Sequence, residues 1–205
     1  MPSPVPVHAD RILDGALTCI ARVGVAKTTL DDVAREAGCA RATVYRSFPG
    51  RGALMRAVLD REIAGLAVRL SGAAAGADNL GDALVAVIGA GADTFRTHAA
   101  LAFVLAHEPE IVAPQLSFER GSTMLRAAAA LVAPAFARFL PPERAARLGE
   151  WVARLTLSYL CDPSERVQLH DPAHVRALVV DHILPSVTRT TSTFASVITG
   201  EGVAQ

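Results

Sequence analysis

The sequence predicts an all-α protein, with an amino-terminal three-helix unit containing a helix-turn-helix followed by a larger helical module. Three observations predict it. Apolar residues recur at i, i+3, i+4 and i+7 along most of the chain, and no strand-like alternation interrupts them. Gly38 separates two short periodic segments between Thr28 and Arg46, and a residue free to adopt positive φ there lets the chain turn sharply from one helix into the next. The chain has 205 residues, 51% of them hydrophobic, which far exceeds what a lone three-helix unit needs, so a second module must exist.

Each element has its own signal. Ile12, Leu13, Ala16, Leu17 and Ile20 form the apolar stripe of a first helix. Leu30, Val33, Ala34 and Ala37 form the stripe of a second, which begins at Thr28 or Thr29. A threonine hydroxyl there can cap the free amides, and Asp31 and Asp32 in the first turn suit the positive end of the helix dipole. A third helix spans Ala40 to Arg46. Val44 is its expected buried anchor, packed near the small Ala34. Arg41, Ala42, Thr43, Tyr45 and Arg46 are left to face outward, a set rich in donors for phosphates and base edges.

Leu54, Val58 and residues 63–70 continue a helical pattern until Ser71–Asn79, whose small residues and glycines predict a loop and a module boundary. Leu80, Leu84, Val87, Ile88 and Phe95 mark the next helix, and Ala99–His107 a shorter one ended by Pro109. Ser122 is a cap for a helix through Met124, Leu125, Leu131 and Phe136, which Pro134 should kink or end. Pro141-Pro142-Glu143 opens another, carrying Leu148, Val152, Leu155 and Tyr159 with Trp151 beside them. Asp171-Pro172 opens the last. Its residues Val175, Leu178, Val179, Ile183 and Leu184 form an apolar face broader than one neighbour would cover. The expected division is 1–55, 56–185, and a mobile tail over 186–205.

Charge is distributed unevenly. The whole chain is neutral, with 20 basic and 20 acidic residues, yet Arg35, Arg41, Arg46, Arg51 and Arg56 face a single acid, Glu36, between residues 35 and 56. Such local basicity fits a surface that meets DNA. Cys19, Cys39 and Cys161 stand far apart, which argues against a zinc site or a disulfide framework. The opening MPSPVPV lacks the layout of a signal peptide, and no later apolar run approaches the roughly 20 residues needed to cross a bilayer, so a cytoplasmic protein with no membrane partner is expected. Lys27-Thr28 lacks the glycines of a phosphate-binding loop, and Gly89-x-Gly91 lacks the third glycine and the strand of a dinucleotide fingerprint, so close helix packing is its expected role. His170 and His174 have metal-pair spacing, but Pro172 and the cap Asp171 place His170 outside the helix. No Gly-x-Ser-x-Gly elbow or paired catalytic carboxylates can be assigned, so neither enzyme chemistry, a cofactor nor a metal is expected.

Residues 11–60 resemble the amino-terminal domain of the TetR family of transcriptional regulators. The resemblance rests on the first amphipathic helix, Gly24-x-x-x-Thr28-Thr29, Ala37-Gly38, Thr43-x-Tyr45, Phe48, and a basic residue before Leu54. Two departures are Arg51, where a lysine is commoner, and Pro49-Gly50 just before it. The resemblance implies a homodimer that places two recognition helices on a double-stranded palindromic operator, with Arg41 and Thr43 at base edges beside Ala42. Lys27, Thr28, Thr29, Tyr45, Arg46 and Arg51 would hold phosphates. It also implies that the fourth helix couples the two modules, that the last two long helices pair in the dimer, and that a small-molecule effector binds the helical module. Phe95, His98, Phe103, His107, Phe118, Met124, Trp151 and Tyr159 are candidates to line an apolar pocket, and are equally candidates for ordinary core. Two other readings stay open: an effector-independent DNA-binding or interaction protein, and a helical enzyme with an appended DNA-binding domain.

Overall fold

The computed structural model describes residues 7–108, 110–111, 123–162 and 164–188. Its helices are α1 (Val7–Lys27), α2 (Leu30–Glu36), α3 (Arg41–Ser47), α4 (Arg51–Ala75), α5 (Leu80–Thr97), α6 (Ala99–His107), α7 (Thr123–Val132), α8 (Pro142–Cys161), α9 (Pro172–Leu178) and α10 (Leu184–Thr188). The described residues hold no strand. Ser122, Phe118, the side chains of Met124 and Cys161, and the tail beyond Thr188 lie outside the described residues.

The chain forms two compact units. The first comprises the described residues within 1–69 and 93–127, the second those within 70–92 and 128–205. This grouping differs from a division at residue 55, because α6 contributes to the core of the first unit. Ile12, Ala16 and Ile20 of α1, Val33 and Ala34 of α2, Val44 of α3, Leu54 and Val58 of α4, and Ala100 and Val104 of α6 form one buried cluster. Each large side chain among them contributes about 1.5–3 kcal/mol by leaving water.

In the second unit, Leu84, Val87 and Ile88 of α5, Phe136 before α8, Leu148 and Val152 of α8, and Val175 and Val179 are buried. Pro134 acts as expected. Helix α7 stops at Val132, and the chain tightens into a 3₁₀ turn over Ala133–Phe136. Asp171 caps α9 by accepting a hydrogen bond from the Ala173 amide at 2.8 Å. A π-helical turn over Val179–Ile183 then carries the chain into α10 without a loop.

Two expectations are corrected. The loop expected from Ser71 is confined to residues 76–79, because α4 runs on to Ala75. Alanines 73–75 are the best helix formers available and outweigh Gly72, the one glycine in this last stretch of the helix. Arg138 then donates to the Ala75 carbonyl at 2.8 Å and to that of Ala77, satisfying acceptors that the helix end leaves open. Nor do Gly89 and Gly91 serve close packing. A Cβ at Gly89 would meet nothing within 4 Å, and one at Gly91 would make an ordinary 3.8 Å contact with Thr156.

The close approach is at Gly149 on α8, where a Cβ would stand 2.8 Å from the Ala133 nitrogen and 3.0 Å from the Ala129 carbonyl oxygen. The two sites therefore predict opposite signs for the same substitution. Gly149→Ala should destabilise the protein by about 1–3 kcal/mol through overpacking against backbone. Gly89→Ala should stabilise it by up to about 1 kcal/mol through helix propensity. Urea melts of the two variants against the wild type check both.

Candidate nucleic-acid interface

The third helix is only seven residues long, and its inward side is held by Val44, which is fully buried, and by Phe48 at its end. Arg41, Ala42, Tyr45 and Arg46 are exposed, and Thr43 is half-buried. Tyr45 keeps 52% of its surface in solvent, a large fraction for an aromatic side chain. The turn before α3 places Gly38 at φ 59°, and the Cys39 amide bonds the Ala34 carbonyl at 3.0 Å. Arg11 braces the same turn from α1 by donating to the Ala37 carbonyl at 2.8 Å.

At the start of α2, Thr29 accepts from the Asp32 amide at 3.2 Å, and its hydroxyl donates to the Asp32 carboxylate at 2.5 Å. That reciprocal cap fixes the helix start. The Thr29 hydroxyl, and next Arg35 at 2.9 Å, hold the Asp32 carboxyl below its ordinary range. Arg41 pairs with Asp31 at 2.9 Å, and Arg22 with Glu36; both are solvent-facing pairs that contribute little to stability.

Lys27 and Thr29 are exposed, but two of the expected phosphate-holding residues have other work. Thr28 is fully buried. Its hydroxyl donates to the Gly24 carbonyl at 2.7 Å and its amide to Val25 O at 3.3 Å, so neither of its donors is free to meet a phosphate. Arg51 donates through Nε to the Thr28 carbonyl at 3.0 Å and through Nη2 to that of Val25. It is a clamp on the turn before α2, while its side chain stays exposed.

Glu108, which no sequence signal singled out, completes that turn. Its carboxylate accepts from the Val25 amide at 2.6 Å and the Ala26 amide at 2.9 Å.

The described pocket candidates are divided between the two units. Phe95, His98, Phe103 and His107 belong to the first unit, Trp151 and Tyr159 to the second. Both His98 ring nitrogens are engaged: Nδ1 accepts from the Leu101 amide at 3.1 Å, capping α6, which leaves Nε2–H to donate to Glu62 at 3.0 Å. His98 thus fixes a helix start and is not an open pocket group. His107 is exposed and stacks on half-buried Phe103 with ring centroids 4.4 Å apart. Trp151 lines an open cleft of about 270 Å³ with Arg144, Arg147, Leu148, Ser186 and Val187, while Tyr159 is half-buried elsewhere on α8.

Residues 12–58 match the family model described as bacterial regulatory proteins, tetR family. An uncharacterised HTH-type transcriptional regulator of Mycobacterium tuberculosis is 30% identical over 183 residues, spanning 88% of this chain and 85% of that protein. The chain belongs to the TetR family. Solved TetR-family structures share its fold. The repressor AlkX from Dietzia superposes with a TM-score of 0.64 at 19% identity, covering 92% of this chain and 98% of that one. FadR from Bacillus subtilis, solved with stearoyl-CoA, gives 0.56 at 16% identity, covering 85% and 98%. The protein is thus a TetR-family helix-turn-helix transcriptional regulator, and α2 and α3 are its DNA-binding motif. No described helix is long and apolar enough to cross a membrane.

Two measurements check the local chemistry of this motif. Thr29→Ala removes the α2 cap and should cost about 0.5–2 kcal/mol, read from denaturant midpoints. Because the folded state depresses the Asp32 pKa, the stability tied to that carboxylate is present above its unfolded value, near 3.8, and is lost as pH falls through the lower folded value. Acid titration of Asp32→Asn should therefore show a shallower loss of stability below about pH 4 than the wild type.

Proposed function

We propose that this regulator is a homodimeric, effector-released repressor that sets its two α3 helices into successive major grooves of a palindromic operator, one helical turn apart. The observation that carries the reading is the outward face of α3, donor-rich and solvent-facing, over a fully buried Val44. Arg41 and Thr43 are proposed to read base edges beside Ala42, and Lys27, Thr29, Tyr45 and Arg46 to hold phosphates. The Arg41–Asp31 pair does not oppose this role. Its two side chains are 68% and 37% exposed, so exchanging the carboxylate for a guanine edge or a phosphate costs little.

Dimerisation is proposed through α8 and the last helical run, as the family resemblance implies. In support, Trp151 of α8 and Val180 of the π turn leave 39% and 51% of their surface in solvent, large apolar exposures for residues otherwise on core-forming helices. The effector is proposed to be a small, largely apolar molecule held by the helical module, with the coupled change in DNA affinity measured as a linkage between two binding events.

Arg41→Ala should lose on the order of 1–3 kcal/mol of affinity and relax preference at one operator position, whereas Arg46→Ala should weaken all duplexes alike and flatten the salt dependence by about one phosphate contact. Gel-shift competition at fixed salt separates the two, and an Arg41 variant with full sequence preference would refute its assigned role. Asp31→Asn frees Arg41 and removes a negative charge from this face, so it should tighten binding to all duplexes by a few fold. Val180→Asp should raise the dimer dissociation constant by at least tenfold, checked by sedimentation.

A further inference from the structure

We infer that Glu108 is a positioning residue for DNA reading: its carboxylate, at the end of α6, caps a broken turn of α1 and so sets where α2 and α3 stand. The inference rests on the proposed DNA-reading role and adds to it a residue far from the recognition helix in sequence.

The geometry begins with Gly24. Its φ of 86° and ψ of 171° interrupt α1, so the turn that follows, Val25–Lys27, starts afresh. Across such a break the Val25 and Ala26 amides lose the carbonyls four residues back that would normally receive them. Glu108 receives both, one oxygen to each, while itself keeping only 7% of its surface in solvent. Two charge-assisted bonds to one buried carboxylate are stronger than two neutral ones and fix a direction as well as a distance.

The other end of the same turn presents carbonyls, and there Arg51 of α4 donates to Val25 and Thr28. A carboxylate at the amide end and a guanidinium at the carbonyl end match the dipole of the turn between them. Thr28 ties the turn to Gly24 through its buried hydroxyl, and the next residue, Thr29, caps α2. Any sliding of this turn therefore moves the start of α2, and with it the α2–α3 pair.

Glycine is required at the break for two independent reasons. Its φ is one that other L-residues rarely adopt, and a Cβ there would stand 2.5 Å from Glu108 Oε1 and 2.6 Å from its carboxyl carbon. The site is shaped around the carboxylate.

Glu108→Gln keeps the size but offers one acceptor and turns an NH₂ toward the second amide. In the full-length protein, well below its melting temperature, affinity for the duplex that wild type enriches most from a randomised pool should fall on the order of tenfold, the loss of one charged hydrogen bond. Affinity for an unrelated duplex at the same salt should stay within about twofold, since the phosphate-holding side chains are untouched. A purely structural role would lower the melting temperature and leave the ratio of the two affinities unchanged, and that result would overturn the inference. Hydrogen exchange supplies a readout that needs no variant. In the wild type the Val25 and Ala26 amides should be protected, and free exchange there would equally overturn it. A wild type that enriched no duplex would instead defeat the proposed DNA reading itself, leaving the exchange result to judge the cap.

Discussion

The recognition surface depends on the burial of Val44 and Phe48. Helices α2 and α3 are seven residues each, well below the length at which an isolated helix is stable in water, so their own hydrogen bonds cannot hold them. What holds them is the shared core in which Val33, Ala34 and Val44 lie beside Ile12, Ala16 and Leu54. The same burial orients the outer face. With Val44 pinned inward, Tyr45 and Arg46 have no direction left but outward, and Arg41, one turn earlier, lies on the same side as Tyr45. Specificity in such a motif is therefore a consequence of packing, because a helix free to roll would present several faces to a groove and read none.

Electrostatics refine what packing sets. Three arginines in or beside the motif stand next to acids: Arg41 with Asp31, Arg35 with Asp32, Arg22 with Glu36. Every one of these pairs is exposed, so each is worth little to folding and is readily exchanged for a stronger partner. An anionic polymer brings many such partners at once and releases its counterions in doing so. A neutral chain can in this way offer a local cationic face without the self-repulsion of a strongly charged protein. Arg51 and Arg11 act differently, since their bonds to backbone carbonyls tie them to the turns before α2 and α3.

Local signals were legible in the letters, and long-range ones were not. The Thr29 cap, the Gly38 turn, the Val44 anchor, the break at Pro134 and the Asp171 cap each depend on residues within a few positions of one another, and periodicity or cap chemistry is enough to read them. The burial of Thr28 and the carbonyl bonds of Arg51 were not legible, because an exposed and a buried threonine look alike in a sequence, and because an arginine near a motif signals phosphate whether or not it also holds backbone carbonyls. Glu108 lies more than eighty residues from the amides it caps, as its bond to Val25 records, and nothing in its neighbourhood marks it. Ser71–Asn79 was read from its glycines, although the alanines among them decide the outcome as far as Ala75. Grouping α6 with the amino-terminal helices required seeing Ala100 and Val104 in one core with Ile12 and Val44.

That grouping gives α6 a defined mechanical position within the first unit. Its first turn is capped by His98, whose other ring nitrogen is held by Glu62 of α4, and Arg61 beside it reaches Asp14 of α1 at 2.9 Å. Its last turn leads into Glu108. A short apolar helix between two polar anchors behaves as a strut: its middle is held by non-directional burial, which tolerates a small slide, while its ends are held by hydrogen bonds, which do not. A displacement of α6 along its axis would strain both anchors together, and the one at Glu108 bears directly on the turn that opens the DNA-binding motif. On the proposed DNA-reading role, a shift of α6 would act first on the amides of Val25 and Ala26, before any side chain proposed to read bases.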